Sequence, residues 1–163
     1  MARMTTGIGG LAAALLAAAA GEARAYDFSW PINGRVTSTY WSWRGDHYHK
    51  AIDIAAPTGS RVAAARSGKI VFRGWERGGG GWMVIVGHGA GYRTGYAHNS
   101  RFSSARGSVA RGTIIAYSGS TGNSTGPHCH FQLERYGAHV YIPARVGQTI
   151  TRGSGVRYNY PGI

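Results

Sequence analysis

The residues best suited to chemistry are seven histidines: His47, His49, His88, His98, His128, His130 and His139. Carboxylates are scarcer, six in the whole chain, and one of them, Asp53, follows His49 by four residues. A catalytic zinc site takes three protein ligands, commonly imidazole or carboxylate, and keeps one position open. His128-Cys129-His130 places two imidazoles at i and i+2. On a strand both project from one face, so one can bind a metal while the other reaches the reacting water. With His49 and Asp53, His130 completes a two-histidine, one-carboxylate set. The helical zinc signature H-E-x-x-H is absent, so such a site must ride on strands and loops. Cys129 could itself ligate, but on a strand it faces away from both neighbours and reads as a small buried hydrophobe. A glycosidase needs two carboxylates across a sugar, and no spacing singles out a pair among Asp46, Glu76 and Glu134.

The elements that must carry these groups are short. Strand-like runs rich in β-branched and aromatic residues recur at Arg35–Tyr40, Lys50–Ile54, Lys69–Phe72, Trp82–Val86, Tyr92–Tyr96, Thr113–Tyr117 and Cys129–Arg135, bounded by Gly, Ser, Asn or Pro. Most of the 27 glycines lie among them. The pattern predicts an all-β fold, mainly antiparallel sheets in a sandwich or partly open barrel, with a groove holding the metal. Gly78-Gly79-Gly80-Gly81 reads as the most mobile loop, either a groove rim or a permissive turn.

The first stretch is of a different kind. Arg3, the apolar run Leu11 to Ala20 and the Ala23-Arg24-Ala25 site describe a secretory signal peptide over residues 1–25. The apolar run is shorter than the ~20 residues a spanning helix needs. Residues 26–163 then form one domain, expected to be monomeric, with no membrane-spanning segment left after cleavage. About ten residues separate the cleavage site from the first predicted strand, so neither an inhibitory segment nor a separate targeting domain is expected. Beyond residue 25 there are 16 basic and 5 acidic residues, a net charge of +11. Such a field favours polyanionic partners. For a secreted or wall-associated protein these are cell-wall polymers, membranes or extracellular nucleic acid, and the charge is expected to stand in for a targeting domain by holding the chain to anionic wall polymers. No run of Lys and Arg marks a nucleic-acid arm, and no nucleic-acid partner is expected.

Three blocks in register carry a resemblance. His49-Lys50-Ala51-Ile52-Asp53-Ile54-Ala55-Ala56-Pro57-Thr58-Gly59 resembles the first metal-binding block of lysostaphin-type zinc endopeptidases, metallopeptidase family 23. Tyr96-Ala97-His98-Asn99 is similar to their central histidine block, and Ser118 to Gln132, with Pro127-His128-Cys129-His130-Phe131, to the third. The resemblance covers roughly residues 35–142. It implies one zinc ion held by His49, Asp53 and His130, a catalytic pair His98 and His128, and hydrolysis of peptide bonds in bacterial peptidoglycan. The alternative it leaves is a non-catalytic wall-binding scaffold or activator of the same fold. Ala51 stands where the family often has Gly, and Cys129 where it has a branched aliphatic residue; neither removes a ligand.

His47, two residues from His49, is the nearest decoy ligand. His88 is expected in a β-turn and His139 in a hairpin, both structural or solvated. Tyr40 and Tyr48 are oxyanion-donor or rim candidates, and Trp41, Trp43, Tyr48 and Trp82 line either a groove or the core.

Overall fold

Alternation of apolar and polar residues gives a strand one face for the core and one for the outside. The computed structural model describes residues 28–156; the expected signal peptide lies outside them. In chain order the strands are β1 (Phe28–Ser29), β2 (Gly34–Ser38), β3 (Ile52–Ala55), β4 (Arg61–Ala63), β5 (Gly68–Glu76), β6 (Gly81–Gly87), β7 (Tyr92–Asn99), β8 (Arg101–Phe102), β9 (Ser108–Val109), β10 (Ile114–Tyr117), β11 (His128–Arg135), β12 (Ala138–His139), β13 (Thr149–Ile150) and β14 (Gly155–Val156). No helix occurs among the described residues.

The main sheet runs β13-β2-β3-β11-β7-β6-β5-β9, with β12 added at the end of β11. All of its pairings are antiparallel. A three-stranded sheet, β4-β10-β8, and the two-stranded pair β1-β14 complete the architecture. The sheets remain open rather than closing into a barrel, and all seven predicted runs are strands. The first strand comes earlier than predicted: Phe28 pairs with Val156, a ladder too short for any sequence pattern to show.

One core lies behind the main sheet. From its central strands come Ile52 and Ile54, Cys129, Phe131 and Leu133, Tyr96, Val84 and Val86. Phe28, Val62 and Ile115 close it from the smaller sheets. Burying side chains of this size stabilises by roughly 1.5–3 kcal/mol each. The opposite face of β11, carrying His128, His130, Gln132 and Glu134, is partly exposed.

A polar chain crosses this core. Ser67 O can only accept, so the His88 Nδ1–H donates to it (3.0 Å) and Nε2 is left to accept from Thr94 Oγ1 (2.7 Å). Thr94 Oγ1 in turn accepts from Tyr96 Oη (2.7 Å), which accepts the Ala65 N–H (2.8 Å). His88 thus stands at the start of the turn between β6 and β7, as expected, and serves there as a part-buried structural residue with its ring edge-on to Phe28.

Burial, helped by Arg66 and opposed by the Ser67 hydrogen bond, pushes the His88 pKa below the usual imidazole value. The unfolded chain takes up the proton first, near pH 6.5. Stability due to His88 is thus fully present above that pH and is lost as pH falls through the lower folded value. His88→Gln is expected to flatten the dependence of Tm on pH between 8 and 5 relative to wild type. Tyr96→Phe leaves the Ala65 N–H unpaired and is expected to cost about 1–3 kcal/mol, read from denaturant unfolding.

Candidate metal centre

Register brings the ligand candidates together. β11 pairs with β3 so that His130 lies opposite Asp53, while Cys129 lies opposite Ile54 in the core. Side chains directly opposite on an antiparallel pair share a face, and His130 Nδ1 meets Asp53 Oδ1 at 3.0 Å. Cys129 is fully buried and faces away from the histidines, as alternation demands.

His49 reaches the same point by a different route. Four residues on an unbroken strand would separate it from Asp53 by about 13 Å. The run expected from Lys50 begins instead at Ile52, and the bend at Ala51 turns His49 back. Its Nε2 comes within 3.2 Å of both Asp53 Oδ1 and His130 Nδ1. Thr39 O, 3.2 Å from His49 Nδ1, accepts that proton and leaves Nε2 bare for a ligand.

One ligand atom from each of His49, Asp53 and His130 falls within 4.8 Å of the others, so the three form a set that could hold a metal ion. Burial alone would raise the Asp53 pKa; the His130 and His49 imidazoles packed against it overcome this and hold the carboxyl well below the usual range. A carboxylate kept ionised against two imidazoles in a largely buried niche is the donor chemistry zinc takes. Arg44 also pairs with Asp53 through Oδ2. It lies in the loop before His49, and nothing in the sequence pattern marked it.

His98 and His128 stand beside this set, their rings 4.6 Å apart, and His98 is 5.6 Å from the His130 ring. His128 Nε2 lies 3.7 Å from Asp53 Oδ1. Thr121 O (2.7 Å) takes the Nδ1 proton of His98, and Gly126 O (2.8 Å) that of His128, so both rings keep Nε2 free. Burial lowers His98 to about 4, with the neighbouring His130 and His128 adding to the shift against the Thr121 bond. Strict alternation along β7 would send His98 to the core. Its φ of +60° breaks that alternation at the strand end, a conformation costing on the order of 1–3 kcal/mol for a non-glycine residue.

The glycine-rich turn after β5 supports that residue. Gly80 O accepts the His98 N–H at 2.8 Å. The turn itself is tied to Glu76, whose carboxylate accepts the N–H of Gly78 (2.6 Å) and of Gly80 (2.8 Å). A Cβ on Gly81 would lie 2.5 Å from Thr121 C, so only glycine permits this approach of two loops. The segment expected to be the most mobile is therefore pinned, and it forms one rim of a groove of about 1100 Å³.

The remaining sequence candidates fall elsewhere. His47 is exposed, 2.5 Å from Asp46 Oδ1, and outside the ligand set. Tyr40 donates to His139 O and is committed there. Tyr48 lies exposed between Trp41 and Trp43, and Trp82 is exposed against Trp75, so none of these rings is core. His139 does sit in a hairpin, opposite Glu134, but it lines the groove rather than the solvent.

Residues 47–142 match the profile of peptidase family M23. The chain belongs to this family. Over 110 residues it is 43% identical to the DD-carboxypeptidase/endopeptidase Mpg of Neisseria meningitidis serogroup B, a match covering 68% of this chain and 25% of Mpg. It is 34% identical over 121 residues to the murein hydrolase activator NlpD of Escherichia coli K12, covering 71% and 31%. The catalytic domain of lysostaphin from Staphylococcus simulans superposes with a TM-score of 0.56 at 36% identity, covering 65% of this chain and 81% of that domain. The chain thus spans only a quarter to a third of the length of these curated relatives.

The M23 peptidases are zinc enzymes of peptidoglycan, with activators among them. An ion bound to the folded state alone stabilises it, by about 4 kcal/mol at a thousand times its Kd. Zinc is expected to raise Tm in wild type and to leave Asp53→Ala unmoved, as read by calorimetry with and without chelator.

Proposed function

We propose that this protein is a zinc-dependent endopeptidase that cuts peptide bonds in peptidoglycan stem peptides or cross-bridges, outside the cytoplasm. The observation that supports it most is the pairing of a complete ligand set with two further imidazoles whose Nε2 atoms are free. Zinc held by His49, Asp53 and His130 supplies Lewis acidity toward the scissile carbonyl and toward water. Neutral His98 can accept a proton at ordinary pH, and His128 beside it can orient the attacking water or protonate the departing amine. The carbonyl oxygens of Thr121 and Gly126 hold these two rings in the required tautomer. The open groove on both sides of the site gives an extended peptide room to lie across it.

Likeness to NlpD favours a second reading, an activator that binds the wall without cutting it. The decisive experiment digests purified peptidoglycan with residues 26–163. New amino termini are expected, abolished by chelator and reduced at least ~100-fold by His128→Ala or His98→Ala, with zinc content unchanged. Bound zinc with several wall types left intact would establish the activator reading.

The basic surface belongs to the same proposal. With a net charge of +11 beyond residue 25, the enzyme is held to wall polyanions by screened Coulomb attraction. Sedimentation with intact walls is expected to weaken steeply between 0.05 and about 0.5 M salt; binding indifferent to salt would remove electrostatic targeting from the account.

A further inference from the structure

Groove and catalytic set account for three of the four carboxylates lining the groove. Asp53 faces the ligand histidines and Arg44, Glu76 accepts two backbone N–H groups, and Asp46 is matched to His47. Glu134 is the one without such a role. Its Oε1 accepts the Gln132 amide at 2.8 Å and lies 4.0 Å from His139 Nε2. Its side chain is only 18% exposed. Arg93 stands opposite it on β7, yet no ion pair forms between them. Burial, reinforced by Lys50 and His130, lowers the His139 pKa despite Glu134 nearby, so that neighbour offers no full charge at neutral pH. A carboxylate presents about four acceptor positions, and here one neutral donor fills one of them.

The other partners of this corner are also incomplete. His139 Nδ1 is buried with no hydrogen-bond partner. Gln132 is locked from behind: a Cβ on Gly95 would lie 2.7 Å from its Cγ and equally close to Met83. Its amide is thereby aimed along the strand at Glu134. The result is a pre-oriented, largely desolvated carboxylate in the groove of a chain with 18 basic residues and six acidic ones. A half-buried charge of this kind calls for an opposite charge, and charge-assisted hydrogen bonds are the strong ones.

Its place on β11 sets the distance. His130, Gln132 and Glu134 alternate along one strand face, so Glu134 lies about 13 Å from the metal ligand. An extended peptide in the groove covers that span with roughly two residues and a long aliphatic side chain.

We infer that Glu134, oriented by Gln132, is a specificity-determining residue that takes a primary ammonium group of the substrate peptide at a subsite remote from the metal. The inference rests on the peptidase reading for its substrate. Two sources share this chemistry: the side-chain amine of a diamino acid, and the amino terminus of a glycine branch attached to that side chain.

The test measures binding by the zinc-loaded protein, wild type and Glu134→Gln, using three soluble stem peptides. One carries a free diamino-acid side-chain amine, one the same amine acetylated, and one the amine extended by triglycine. Wild type is expected to bind the free amine at least ~10-fold more tightly than the acetylated form, the scale of one charge-assisted hydrogen bond. Glu134→Gln should bind both as weakly as wild type binds the acetylated form, with Tm and zinc content unchanged. Tighter binding of the triglycine peptide than of the free side-chain amine assigns the subsite to the branch terminus; the reverse order assigns it to the side chain. Equal discrimination by wild type and variant, or none by either, overturns the inference. Cleavage is scored separately. Glu134-dependent discrimination without cleavage sinks the peptidase reading alone, and cleavage without discrimination sinks only the subsite.

Discussion

Everything at the candidate metal centre depends on the register of β11 between β3 and β7. Because side chains alternate with a period of two, one choice of pairing sends His128, His130, Gln132 and Glu134 to the groove and Cys129, Phe131 and Leu133 to the core. A slip of one residue would exchange the two sets, burying imidazoles and exposing Phe131. The apolar set therefore holds the polar set in place, at a free-energy difference of several side-chain burials. The same register puts His130 opposite Asp53 on one side and opposite Ala97 on the other. The small Ala97 lines the groove beside His98 and His128.

The groups that regular strand geometry cannot deliver come from departures from it. His49 arrives through a bend, and His98 through a left-handed residue at a strand end. Each departure is braced. Thr39 O and Ser38 Oγ fix the His49 ring, while Thr121 O and the pinned glycine turn fix His98. Ring orientation by backbone carbonyls is cheap in sequence terms, since it constrains no side-chain identity at the acceptor. It is costly in tertiary terms, because three loops must close around one point.

Electrostatics divides the molecule into two regimes. Over the surface an excess of arginine sets a positive field, which favours polyanionic partners. Within the groove three of the four carboxylates are each matched to specific partners. Asp53 is stabilised as an anion by two imidazoles despite its burial, and Glu76 is used to anchor a turn rather than to react. Charge on the outside and charge in the groove thus serve different length scales, the first screened by salt and the second largely shielded from it.

Much of this was legible in the sequence, because period-two patterning and turn residues are local signals. The seven long strands, the all-β class, the burial of Cys129 and the three histidine blocks could all be read from neighbours a few positions apart. The short strands could not: β1 and β14 are two residues each and exist only because distant segments pair. Nor could Arg44 against Asp53, the anchoring of the glycine turn, or the part of His139 in the groove rather than in solvent. Which residue types could bind a metal is written in the chain. Whether His49, Asp53 and His130, up to 81 residues apart, meet within 4.8 Å is decided by strand pairing and loop closure, which satisfy the backbone and the core before they satisfy the site.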